Sequence, residues 1–269
     1  MHLRNTANQM TLIYQQDPNV EAILLAGSVS RGWEDDFSDI ELHIFWKQAP
    51  TDAQRRRPIE KVNGAILSFH PYEDEEWSES YVANGIKFEI SNFLTNTIEN
   101  LINDVVVASD TDLDKQCLIA SLAYGIPLQG VPLLMDLQCR VQHYPDALAQ
   151  AMITQYIHLG TRWQSRHALL ARKDWLLLYQ VMVSAQQHIM GTLCGLNRIY
   201  VQHPAFKWQQ QTIVQMKKRP PHLHGRLQSV FLSHPVDGLK ELEAVRSDVF
   251  QLLTREVPHI DMSHAKDSS

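Results

Sequence analysis

A chain of 269 residues has room for one large domain or two modest ones, and 44% of its residues are apolar, ample for a buried core. Its formal charge of -6, from 30 acidic against 24 basic side chains, provides no overall attraction to polyanions; this disfavours nucleic acid as a partner and suits a small molecule better. Three widely spaced cysteines, Cys117, Cys139 and Cys194, form no Cys-x-x-Cys pair, which argues against a zinc ribbon or dithiol redox centre and reads as buried free thiols in a reducing cytosol.

The opening residues Met1-His2-Leu3-Arg4-Asn5-Thr6 lack the apolar core of a signal peptide, and no segment approaches the ~20 apolar residues that span a bilayer. A cytoplasmic protein with no membrane partner is expected. Residues 6–17 carry Met10, Leu12, Ile13 and Tyr14 at helical spacing and end at Asp17-Pro18-Asn19. Residues 20–26 are an apolar run of strand character that stops at Gly27-Ser28, where a φ-permissive residue lets backbone amides point outward at a helix start, a place where anions bind. The chain returns as a strand over 39–46, whose two-residue period puts Ile40, Leu42, Ile44 and Trp46 on one face and Asp39 with Glu41 on the other. Two carboxylates side by side at a phosphate cradle repel each other at neutral pH, and a hard divalent cation, Mg²⁺ by preference, relieves that repulsion.

Ala49-Pro50-Thr51-Asp52 breaks this strand, and Arg55-Arg56-Arg57-Pro58 follows as a basic loop or short helix. It reads as a solvated charge run, with contact to a triphosphate as the alternative. Residues 65–72 predict another strand, and Glu73-Asp74-Glu75-Glu76 a wetted acidic loop, with attraction of a cationic acceptor as its alternative. Gly85 to Ser91 alternates again, with Ile86, Phe88 and Ile90 on one face and Lys87 and Glu89 on the other. Glu89 is then either a third carboxylate beside Asp39 and Glu41 or a strand acid paired to Lys87. Residues 92–104 and 112–124 read as helices, the second closed by Gly125-Ile126-Pro127.

Beyond Pro132 no convincing strand remains, and helical periodicity runs through 144–171, 174–200, 227–233 and 236–257, before a polar, frayed tail at 261–269. The expected fold class is α+β: a mixed-sheet domain over 1–135 and an α-helical bundle over 136–269. One helix through 153–163 puts His158 and Arg162 four residues apart on one face. Histidine, with an unperturbed pKa of about 6.5, is competent to take a hydroxyl proton, and arginine to clamp phosphate oxygens. Asn197, Arg198 and Lys207 read either as ligand contacts or as caps and surface pairs, and His222-x-His224 lacks the further ligands that zinc requires.

The pattern Gly27-Ser28, ten residues, Asp39-x-Glu41 resembles the signature of the DNA polymerase β-type nucleotidyltransferase superfamily. The wording from Gly27-Ser28 through Ser38-Asp39-Ile40-Glu41 is similar to that of the small antibiotic, kanamycin or aminoglycoside-type, nucleotidyltransferases. The resemblance implies a polymerase β-like domain roofed by the helical one, and two Mg²⁺ ions held by Asp39, Glu41 and Glu89. It implies that ATP or another NTP is gripped by Gly27 and Ser28, and that a nucleoside monophosphate passes to a hydroxyl of a small, aminoglycoside-like molecule with release of pyrophosphate. A homodimer is implied by the same similarity. Arg31 either assists the nucleotide or pairs with Asp35 or Asp36, and Ser38 either bonds phosphate or ends its turn. In the family a helix carries a glutamate base four residues before a phosphate-binding lysine. His158 and Arg162 stand at those positions here, a departure that leaves the base open between His158 and Glu89. A protein or tRNA acceptor, or a catalytically silent nucleotide-binding regulatory protein, is the alternative.

Overall fold

Residues 2–260 are described by a computed structural model; the tail expected at 261–269 lies outside them. The chain forms two units, one of Met1–Val107 with Leu118–His143 and one of Ala108–Cys117 with Tyr144–Ser269. A division at 135/136 would fall inside the helix Val131–Gln142.

The first unit holds, in order, α1 (His2–Tyr14), β1 (Val20–Leu25), α2 (Gly27–Arg31), β2 (Ile40–Trp46), α3 (Asp52–Lys61), β3 (Ala65–Phe69), β4 (Trp77–Ala83), β5 (Ile86–Leu94) and α4 (Thr95–Ile102). α5 (Leu113–Tyr124) enters it from the second unit, and β6 (Ile126–Gln129) and α6 (Val131–Gln142) complete it. The six-stranded sheet runs β3-β4-β5-β2-β1-β6, and among these pairings β2 with β5 is parallel and the others are antiparallel. With its mixed sheet and helical C-terminal region the fold is α+β.

One face of the sheet is apolar because of simple alternation. Ile40, Leu42, Ile44 and Trp46 of β2, Phe88 and Ile90 of β5 and Tyr81 of β4 bury against Met10 and Tyr14 of α1. His43 and Phe45 are buried too, so past Glu41 the strand is covered on both faces, as its central place in the sheet requires. Three elements depart from the sequence reading. β4 was not foreseen, because Ser78, Glu79 and Ser80 obscure its period. β5 runs on to Leu94 and takes the first residues of the helix expected at 92–104. Ile126–Gln129, expected as a helix exit, pairs with β1 as an edge strand, where Pro127 is tolerated.

The arginine run also differs from expectation. Thr51 and Gln54 form a capping box that starts α3, and this rotates Arg55 inward until it is fully buried. Its guanidinium meets the Glu79 carboxylate, Nε to Oε2 at 2.8 Å and Nη2 to Oε2 at 2.7 Å, and donates to the carbonyls of His70 and Ser78. Asn92 donates to the same carboxylate at 3.0 Å and accepts from Trp46 Nε1 at 2.9 Å. Arg55 is thus a core residue, while Arg57 is exposed beside Asp17.

The second unit contains α7 (Asp146–Tyr156), a 3-10 turn (Thr161–Ser165), α8 (Arg166–Arg172), α9 (Trp175–Asn197), α10 (Gln209–Gln215), α11 (Leu223–Leu232) and α12 (Pro235–Glu256). α7 packs on α9 and α11 on α12. Arg166 lies over the buried Trp163 ring at 4.5 Å and reaches Glu243 at 2.6 Å. α10 was not foreseen. Cys194 is buried, as read, with its thiol pushed up to about 12 by burial. Cys139, by contrast, is exposed, because it lies on the outward side of α6. No helix among the described residues is long and apolar enough to cross a membrane.

Two outcomes follow from the buried pair. Glu79→Leu leaves the Arg55 guanidinium buried without its carboxylate, and urea denaturation is expected to show a loss of about 3–5 kcal/mol. Burial pushes the Glu79 carboxyl from its ordinary 4.5 up to about 7, against the opposing pull of Arg55 and Asn92. The folded chain then holds this proton more tightly than the unfolded one, so the stability it contributes is full below pH 4.5 and is lost as pH rises through about 7. Denaturation at several pH values across that window should show this fall in the parent chain and a flatter profile in Glu79→Gln; equal profiles contradict it.

Candidate active site

The acidic site is a product of strand register. Parallel pairing sets Glu41 opposite Glu89 and Ile40 opposite Phe88, so the two glutamates are lateral neighbours on one sheet face. Asp39, the residue before β2, joins them, and the three residues each offer a carboxylate oxygen within 4.8 Å of the others. Asp39 and Glu41 are half-buried and Glu89 is exposed. Among the described residues no other group of three or more His, Cys, Asp or Glu side chains converges in this way, His222 and His224 included.

Lys87 supplies the local countercharge. Its ammonium lies 3.3 Å from Asp39 Oδ2 and donates to Glu89 Oε1. Those contacts, the Glu89 bond foremost, hold the lysine above its ordinary pKa. A chain with this many negative groups at one point is suited to a small hard cation, since carboxylate oxygens about 2.1 Å from Mg²⁺ stand roughly 3–4 Å apart. The donor set is all oxygen, which fits Mg²⁺ or Mn²⁺ and not a thiophilic metal.

The turn after β1 closes one side of this cluster. Gly27 has φ +63°, and a Cβ there would lie 2.2 Å from Glu41 Oε1, so the carboxylate packs directly on the turn backbone. The Ala26 amide donates to the Glu41 carbonyl at 2.9 Å, tying turn to strand. Ala26 provides no side-chain cap for α2, and the buried Ser28 follows in its first turn. Backbone amides at such a start have no partner within their own helix.

The other expected residues divide by unit. Ser38 is bound locally: its hydroxyl donates to Asp35 Oδ1 at 3.0 Å and accepts from the Asp35 amide at 2.9 Å, which is the turn-ending alternative. The Arg31 guanidinium stands between the rings of Trp33 and Tyr124, at 5.4 and 5.5 Å. Burial, with the Arg31 charge adding to it, lowers the His43 pKa to about 4, and the neutral ring packs edge-on against Phe93 behind Glu41. His158 and Arg162 belong to the second unit, and the single helix expected to carry them does not form. α7 ends at Tyr156, Gly160 adopts φ 75°, and Arg162 sits in the 3-10 turn, so the four-residue helical spacing does not apply. Burial lowers the pKa of His188, whose ring lies by the backbone of Tyr156 and His158. Arg162 is exposed in a cleft of about 600 Å³ with Ser165, Arg172 and Gln180. Asn197 and Arg198 make the caps and pairs of the structural alternative: Asn197 bonds the backbone of Leu193 and Lys218, and Arg198 pairs with Asp146.

The sequence reading saw Lys87 as a partner of Glu89 but missed its contact with Asp39. That contact depends on which strand β2 pairs with, and in which direction, and nothing local to either strand encodes this.

Residues 112–209 match a family described as Domain of unknown function (DUF4037), a segment that contains none of the three clustered acids. No curated protein matches the chain. Among solved structures the chain is similar to a nucleotidyltransferase-like protein from Exiguobacterium sibiricum 255-15, at 13% identity and a TM-score of 0.44 over 94% of this chain and 78% of that one. It is also similar to the Cid1 poly(U) polymerase, at 16% identity and a TM-score of 0.29 over 45% of this chain and 39% of that one.

Gly27 gives the sharpest structural test of the site. Gly27→Ala puts an L-residue at positive φ and drives its methyl group into Glu41, and urea denaturation should register a loss of about 1–3 kcal/mol. Unchanged stability would mean that Glu41 does not pack on the turn.

Proposed function

We propose that the first unit is a Mg²⁺-dependent nucleotidyltransferase that moves a nucleoside monophosphate from ATP or another NTP to a hydroxyl of a small molecule. The observation that carries this reading is the convergence of Asp39, Glu41 and Glu89 within 4.8 Å beside the uncapped Gly27-Ser28 turn. A cluster of acids able to hold a cation, and a helix start without a side-chain cap packed against it through Gly27 and Glu41, would supply the two devices that a triphosphate requires.

Bound Mg²⁺ would supply neutralisation of the triphosphate charge and alignment of its α-phosphorus. The chain does the rest. Asp39 and Glu41 hold the metal side, with Glu41 fixed by its contact with Gly27. The amides of Gly27 and Ser28 receive the β and γ phosphates, and Arg31 adds positive charge on that side. The acceptor oxygen forms a bond to the α-phosphorus as the bond to the bridging oxygen breaks, and pyrophosphate leaves. The hydroxyl proton passes to a carboxylate, for which Glu89 is the most exposed of the three. This chemistry uses side chains of the first unit alone. The overall charge of -6 and the exposed acids Glu73, Asp74 and Glu75 favour a cationic acceptor, and aminoglycosides are the first class to try.

The test is incubation with each NTP, Mg²⁺ and a panel of hydroxylated small molecules, scored for pyrophosphate and for a product heavier by one nucleoside monophosphate. Asp39→Asn should lower pyrophosphate formation by on the order of 10²–10³-fold or more with an unchanged melting temperature, since it removes a charge and no packing. Turnover retained in that variant contradicts the assignment.

A further inference from the structure

We propose that Lys87 is a resident cation of the carboxylate site: its ammonium occupies the space between Asp39 and Glu89 and must be displaced by the divalent metal. The proposal rests on the metal-site part of the nucleotidyltransferase reading.

Three observations carry it. Lys87 contacts two of the three carboxylates at once, at 3.3 Å to Asp39 Oδ2 and by a direct bond to Glu89 Oε1, which is the bridging position a metal ligated by both acids would take. The contact is built by the fold: Lys87 and Glu89 are two residues apart on β5 and so share a face, and the parallel register that sets Phe88 beside Ile40 brings Lys87 level with Asp39. The lysine side chain is 42% exposed, so its ammonium can leave without disturbing the core. A lysine that served packing would be expected deeper; one that serves only to neutralise a surface acid would need a single partner.

The consequence is coupling between metal and nucleotide. The Lys87 ammonium offsets one unit of the negative charge of the three carboxylates, so the bare site attracts a divalent cation less strongly than it would without the lysine. A displaced ammonium left in solvent gains little, whereas one facing a polyphosphate regains an anionic partner. Lys87 thereby keeps the site from filling with metal before nucleotide arrives.

The experiment is a titration of the nucleotide-free protein with Mn²⁺, followed by electron paramagnetic resonance, for the parent chain, Lys87→Met and Lys87→Arg. Lys87→Met, which keeps the length and loses the charge, should bind Mn²⁺ roughly tenfold more tightly, and Lys87→Arg should stay within about twofold of the parent. Lys87→Gln, a second uncharged variant, should behave as Lys87→Met does. Equal or weaker binding by both uncharged variants, with the parent still binding Mn²⁺, overturns the role of Lys87 and leaves the metal site standing. No Mn²⁺ binding by any of the four proteins overturns the metal site and this proposal together.

Discussion

The parallel pairing of β2 with β5 is the constraint from which the site follows. It sets Glu41 against Glu89, a like-charge neighbour pair that a sheet ordinarily avoids. Sheets with such pairs are held by something else, and here that is burial on the opposite face, where Ile40, Leu42, Phe88 and Ile90 lock the same two strands into one register. A slip by one residue would carry the acids into the core and the apolar side chains out to the carboxylate face. The repulsion at the site is therefore carried by the stability of the core beneath it, as is common where a binding centre is built before its ligand arrives.

The two charged clusters of the first unit are solved differently. On the core face, Glu79 has Arg55 and Asn92 within 3.0 Å and is sealed from solvent, so every partner is fixed and the cluster serves the fold. On the other face, three acids converge at a half-exposed position, two of them in contact with a partly exposed lysine. The first arrangement is closed to solvent. The second gathers three acids where solvent can reach them, and that difference is the physical ground for the proposal that a cation and an anionic ligand meet there.

How much of this was legible in the sequence depended on range. Short-range signals carried far: the apolar run ending at Gly27-Ser28 gave a strand and its turn, and the alternations through Ile40 to Trp46 and around Phe88 each gave a strand, a face and its acids. Helical periodicity likewise marked α9 and α12. What failed was long-range or hinged on one residue. Arg55 looked solvated because its partner Glu79 is 24 positions away on a strand whose period was hidden. The helix expected through His158 and Arg162 is interrupted by Gly160, whose left-handed backbone starts a new turn, and no periodicity count detects such a break. β6 was masked by Gly125 and Pro127, which mark a helix exit and an edge strand equally well.

The central claim is that the oxygens of Asp39, Glu41 and Glu89 converge on one hard cation. Crystals soaked in Mn²⁺ and measured at the manganese absorption edge test it without reference to any substrate. The account requires an anomalous peak bounded by those three carboxylates, with oxygens about 2.1–2.2 Å away. A fully soaked crystal with no peak there, or with its strongest peak elsewhere, would contradict it.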